Sequence, residues 1–206
     1  MIKSLIWNIR GIKSHGSFDR LMQLKRAHNL SFIAVMEPFC RRFKLDKFRR
    51  RLGFDFAHAN SNNKIWLFSD MAINCTVIED LDQHVTCSIN NNGDNMYITI
   101  IYAKCHVHLR EELWDSIKNF AEGNTSPWMV VEDFNSITDP EEKKGGVAHN
   151  ISKSMTFINC ILDSGLIDLG YSGSPLTWCN GWAPRRRIWA RLDRALANSE
   201  WIQNFA

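Results

Sequence analysis

The sequence lacks any C-x-x-C pair, any internal repeat, any low-complexity tract and any apolar run long enough to span a membrane. Its six cysteines, at 40, 75, 87, 105, 160 and 179, are scattered along the chain. That scatter excludes a disulfide framework and a zinc site, and predicts free thiols in a reducing compartment. The opening MIKSLIWNIRG is too short an apolar run for a secretory signal. The expectation is an intracellular chain, nuclear or cytoplasmic, not secreted, with no membrane partner and no obligate protein partner, acting as a monomer. An excess of one charge is also missing. A net charge of +3 permits a polyanionic partner without demanding one.

What is present is enough apolar material for one domain over residues 1–206. Hydrophobic residues make up 45% of 206 positions, and eight Trp and twelve Phe predict large buried or groove-lining surfaces. SLIWN and SFIAVMEP read as buried strands, the second stopped by Pro38. Phe18, Leu21, Met22 and Lys25 keep helical spacing, which predicts a helix over about 18–29. The basic stretch 41–51, RRFKLDKFRRR, reads as helical. FDFAHA, KIWLF, INCTVI, HVTCSI and MYITIIYA are short strands joined by turns such as NNNGDN at 90–95, which predicts antiparallel hairpins. Leu109, Leu113, Ile117, Phe120 and Ala121 form one helical stripe, and Met155, Ile158, Ile161 and Leu162 another that ends near Gly165. Short strands around LTWCN and IWARLDRALA close the chain. The pattern predicts an α/β (α+β) architecture of two packed sheets flanked by helices.

Five apolar runs end in a polar residue: Asn8 in LIWNIRG, Glu37 in AVMEP, Tyr102 in TIIYA, Asp133 in MVVEDFN, with Asn135 close behind, and Asp193 in WARLDRA. In layered folds, active groups gather where strands end. Taken singly, each has a plainer reading. Asn8 suits a turn, Tyr102 an edge strand with a wet hydroxyl, and Asp193, between Arg191 and Arg194, a surface ion pair.

In this order the runs resemble the endonuclease/exonuclease/phosphatase superfamily. The wording is most similar to the endonuclease-like region of plant LINE-type (non-LTR) retroelements, through WNIRG, MEP, KIWLF, YAKC, DFN, EEKKGG, GLIDLG, SPLTWCN and RLDRALAN. The resemblance spans essentially the whole chain. It implies a four-layered sandwich of two mixed sheets and phosphodiester hydrolysis with Mg²⁺ or Mn²⁺. Glu37 would be the principal metal ligand, with Asn8 beside it. Asp133 would orient or deprotonate the attacking water, Asn135 would hold phosphate or water, Tyr102 would donate to the phosphate, and Asp193 would orient a terminal His.

Two departures stand out. The family's final SDH is absent, with no His after His149, so the resemblance implies a domain short of its last strand. The family's Gly before DFN is Glu132, where Gly allows close approach or a special dihedral. Two basic segments complete the reading. Arg185, Arg186 and Arg187 follow Trp182 at a hairpin tip, and Arg41 and Arg42 follow the MEP strand. Both predict contacts to DNA, against the alternative of solvated charged turns. The expectation is a DNA-nicking hydrolase. A non-cleaving nucleic-acid-binding remnant and a small-molecule phosphatase are the alternatives.

Overall fold

In the computed structural model, residues 2–14, 16–91 and 93–205 are described. Asn92, inside the expected turn at 90–95, lies outside them. The chain forms two compact units, 1–102 and 103–206.

The first unit begins with β1 (Ser4–Asn8), α1 (Ser17–His28), β2 (Phe32–Met36), α2 (Leu45–Leu52), β3 (Phe56–Ala59) and β4 (Ile65–Ser69). The four strands make a mixed sheet in the order β1-β2-β4-β3, with β1 and β2 parallel. All five residues of β2 and of β4 are buried, so both faces of the sheet centre are covered. On one face Ile33, Val35, Trp66 and Phe68 pack with Phe18 and Leu21 of α1 and Phe48 and Leu52 of α2. The expected helix at 18–29 is α1. It ends at Asn29, which takes the left-handed conformation and caps back to the Lys25 carbonyl. The basic stretch 41–51 is a 3-10 turn, Arg42–Lys44, followed by α2.

The unit continues with the meander β5 (Cys75–Asp80), β6 (His84–Asn91) and β7 (Asp94–Tyr102). Register aligns Val85, Cys87 and Ile89 with Ile100, Ile98 and Met96 on one apolar face. Side chains lace this meander to the first sheet. The fully buried Asn60 donates to the Leu81 carbonyl at 3.2 Å and accepts from the Lys64 and Ile65 amides. His58 meets Asp80 at 2.8 Å.

The second unit contains α3 (Glu111–Gly123), β8 (Trp128–Asp133), β9 (Lys143–Lys144), α4 (Met155–Asp163), β10 (Ile167–Asp168), β11 (Trp178–Cys179), β12 (Trp189–Ala190), β13 (Asp193–Ala197) and α5 (Ser199–Phe205). β13 lies antiparallel to both β8 and β10. β9, β12 and β11 form a small sheet. Trp114 of α3, Phe134 and Phe157 of α4 stack in one cluster, with ring centroids 4.9–6.4 Å apart.

Three sequence expectations shift. Leu109 lies in a 3-10 turn before α3 and is exposed, so it leaves the apolar stripe. IWARLDRALA is two strands, because Arg191 turns away into an ion-pair network between them. A last helix, α5, follows the final strand. Its start is fixed by the Asn198 side chain, which accepts from the Trp201 amide at 3.0 Å and the Trp128 amide at 2.9 Å.

Candidate functional site

In the first unit, the parallel pairing of β1 with β2 sets Asn8 beside Met36 and brings the C-terminal ends of two neighbouring strands together. Past those ends the ladder continues. The Gly11 amide donates to the Glu37 carbonyl at 2.8 Å, and the Ile12 amide to the Pro38 carbonyl at 3.0 Å. Arg10, Glu37 and Phe39 all take left-handed φ angles, 45°, 48° and 42°. Such strain persists only where surrounding bonds over-determine the chain, and it concentrates at functional sites. The Tyr102 hydroxyl, at the end of β7, donates to Glu37 Oε1, and Arg10 Nε stands 3.9 Å from Oε2. Tyr102 thus addresses the Glu37 carboxylate, and Asn8 ends the strand that pairs with β2.

In the second unit, DFN is built around its aromatic. Phe134 is fully buried between Trp114 and Phe157. Burial of such a ring stabilises by roughly 1.5–3 kcal/mol, more than the cost of about 1 kcal/mol for a single left-handed residue beside it. Asn135 is that residue, at φ 46°. Its amide N–H donates to Asp133 Oδ1 at 2.9 Å and its Nδ2 to the Ala103 carbonyl at 2.6 Å. The buried Arg110 donates to the carbonyls of Asn135 and Phe134. Burial lowers the Arg110 pKa, partly offset by the charges of Cys105 and Asp133. Sequence reading missed Arg110, since an Arg ahead of a helix looks solvated.

β13 brings Asp193 directly opposite Asp133. Like charges facing each other across a strand pair are unfavourable unless hydrogen bonds offset them, and Asp133 accepts one from the Asn135 amide. The Thr177 hydroxyl fixes the turn into β13 by accepting from the Leu192 and Asp193 amides at 3.0 and 3.1 Å. Arg191 and Arg194 pair with Glu142 and Asp168. Arg191 reaches Glu142 at 3.1 Å and Asp168 at 2.8 Å. Arg194 reaches Asp168 at 2.7 Å and also bonds Glu142. Burial pushes the Glu142 carboxyl up, but Arg194 and the Thr138 amide outweigh it and hold it below its usual value. Burial opposes the same net lowering at Asp168, where the Gly170 amide and the two arginines prevail. EEKKGG, GLIDLG and RLDRALAN thus converge on one largely sequestered ion-pair network in which Arg194 is buried and its partners are half-buried.

Glu132 is buried, opposite Arg194 in register, at φ 95°. That angle belongs to glycine, so the special dihedral expected at this position is present with a bulky residue in it.

The basic segments differ. One end of the Arg42 guanidinium donates to the Ala59 and Asn60 carbonyls, so that group serves the fold and leaves Arg41 as the freer cation. Arg185, Arg186 and Arg187 are exposed at the β11–β12 tip with Trp182. Gly145, after β9, packs so closely on the Arg187 carbonyl that a Cβ there would collide with it.

Among the described residues no three His, Cys, Asp or Glu side chains form a ready-made metal cage. A hydrated Mg²⁺ needs only one or two carboxylates, and Glu37 with the Asn8 amide at the neighbouring strand end is a donor set of that kind. No described helix is long and apolar enough to cross a membrane.

No family model and no curated protein matches the sequence. Solved structures do. The endonuclease domain of TRAS1, a telomere-specific non-LTR retrotransposon, is 13% identical at a TM-score of 0.70, covering 98% of this chain and 88% of that one. An AP endonuclease from Archaeoglobus fulgidus is 11% identical at 0.71, covering 96% and 87%. D. rerio TDP2 complexed with single strand DNA product is 13% identical at 0.66, covering 95% and 83%. The chain has the fold of the endonuclease/exonuclease/phosphatase proteins.

Proposed function

We propose that the chain is a phosphodiester hydrolase of retroelement descent that nicks DNA with a divalent metal. The contact that carries this reading is the Tyr102 hydroxyl on the Glu37 carboxylate, which joins strand ends 65 residues apart in sequence. The solved structures of similar fold support it, since they include nucleases and a protein bound to a DNA product.

Glu37 and Asn8 would hold Mg²⁺ or Mn²⁺, which when bound neutralises charge on the phosphoryl oxygens. Asp133 accepts the proton of the attacking water. Asn135, its backbone set by Arg110 and one amide hydrogen held by Ala103, offers its remaining amide groups to phosphate or water. Tyr102 orients Glu37, and its hydroxyl is the donor that a bound phosphate would draw on. Asp193 adds the second negative charge that favours a protonated partner at the leaving group. The Arg185–Arg187 tip holds backbone phosphates, with Trp182 against the groove.

One observation favours a second reading, a nucleic-acid-binding protein that does not cleave. Glu132 puts a strained, buried carboxylate directly before Asp133. Incubation of supercoiled plasmid with Mg²⁺ separates the two. Nicking by the chain, lowered about 10²–10⁴-fold in Asp133→Ala, is the result expected of the hydrolase. Salt-dependent DNA binding with no nicking would instead establish the second reading.

A further inference from the structure

The first unit contains a cavity of about 380 Å³ whose charged lining is mostly cationic. Lys13, from the loop after β1, and Lys44, Lys47 and Arg51, from the 3-10 turn and α2, surround it, with Asp19 the one carboxylate among the described residues of the wall. Arg51 is fixed there by its guanidinium, 4.2 Å over the Phe18 ring. Lys13 and Lys44 stand against each other. The Lys13 ammonium pulls the Lys44 amine below its ordinary pKa, by direct contact first and by charge repulsion second. Two ammonium groups facing one cavity favour an anion between them.

Beside the cavity stand two ring faces open to solvent, Phe39 at 62% exposure and Phe43 at 72%. Phe39 is held in the left-handed region, where a bulky side chain is a genuine outlier. Its ring borders Gly11, which leads directly into the cavity wall at Ile12, Lys13 and Ser14. Lys64 lies 5.9 Å over the Phe39 ring and Lys44 lies 5.8 Å over that of Phe43. Burial does not explain this placement of Phe39, since its ring is out in water.

We propose that this surface binds a single-stranded nucleic acid, with one backbone phosphate in the Lys13–Lys44–Lys47 cavity and an unpaired base stacked on Phe39 or Phe43. A duplex hides its base faces, whereas a single strand offers them to exposed rings along a cationic track. The inference deepens the nuclease reading and rests on it for the class of ligand.

The test is fluorescence anisotropy in EDTA with a labelled oligothymidylate of about twelve nucleotides, the matched duplex and the matching oligouridylate. Binding of the two single strands ahead of the duplex is expected, and comparing them reads any preference for the sugar. Lys13→Gln/Lys44→Gln weakens single-strand binding about tenfold and lowers the salt slope by about 1.4. Its melting temperature holds or rises, because a repulsion is removed. Phe39→Ala weakens binding about fivefold or more with the salt slope unchanged. Phe39→Gly loses binding in the same way yet melts about 2–4 °C higher, a combination that a merely structural Phe39 would not give. Equal affinity for duplex and single strand, or unchanged binding in the lysine variant, overturns the inference. Because EDTA stops metal-dependent cleavage, absent plasmid nicking with intact single-strand binding would count against the hydrolase reading alone. The converse result would count against this inference alone.

Discussion

Two arginine-rich stretches of this chain read alike and behave differently. In 41–51 the guanidinium groups are largely committed. Arg42 binds two carbonyls, Arg49 binds Asp46 and the Phe54 and Asp55 carbonyls, Arg50 pairs with Asp46 at 3.0 Å, and Arg51 lies over Phe18. At the β11–β12 tip, among the described residues, no carboxylate pairs with Arg185 or Arg186, and Arg187 reaches only the Trp182 carbonyl at 3.2 Å. The difference lies in acceptors. Asp46 in the first turn of α2, the turn after that helix and the end of β3 supply acceptors to 41–51, while the hairpin tip offers its arginines little beyond the Trp182 carbonyl. Positive charge counted along a sequence is therefore not positive charge available to a ligand.

The largest effect should come from the most committed arginine. Arg194→Met leaves Glu142 and Asp168 short of a partner and should lower stability by about 3–5 kcal/mol, read by urea denaturation. The same network gives the wild type an acid limit. Both carboxyls titrate below their ordinary values when folded, so their contribution is complete above about pH 4 and is lost as pH falls through the folded values. The melting temperature should drop over that range, and less so in Arg194→Met. Next in size, replacing Arg185, Arg186 and Arg187 together by Gln should leave stability within about 0.5 kcal/mol but reduce the salt slope of duplex binding by about 2.7. Arg42→Met should do the reverse, costing about 1 kcal/mol of stability with little change in that slope. Equal loss of DNA affinity in both variants would erase the distinction. The smallest effect concerns strain alone. Glu132→Gly should stabilise the chain by about 1 kcal/mol, visible as a higher denaturation midpoint.

Much of the fold was legible because local pattern and burial agree. The apolar runs became β1, β2, β4 and β5–β7, and the stripe on Phe18 and Leu21 became α1. DFN was legible as the end of a strand, but the reason lies in Phe134, whose partners Trp114 and Phe157 are distant in sequence. What escaped was set by long-range polar contacts. The break between β12 and β13 depends on Glu142 and Asp168, the start of α5 depends on Trp128, and the role of Arg110 depends on two carbonyls 24 and 25 residues away. Periodicity carries no signal for any of these. The peculiarity of position 132 was visible only as a residue out of keeping with a resemblance, and its dihedral gives that oddity a physical meaning.

Codons for glycine and glutamate can differ at one base. At residue 132 the main chain follows a path suited to the smaller amino acid while the gene specifies the larger. The strand could therefore take the smaller residue at this position without redrawing its path.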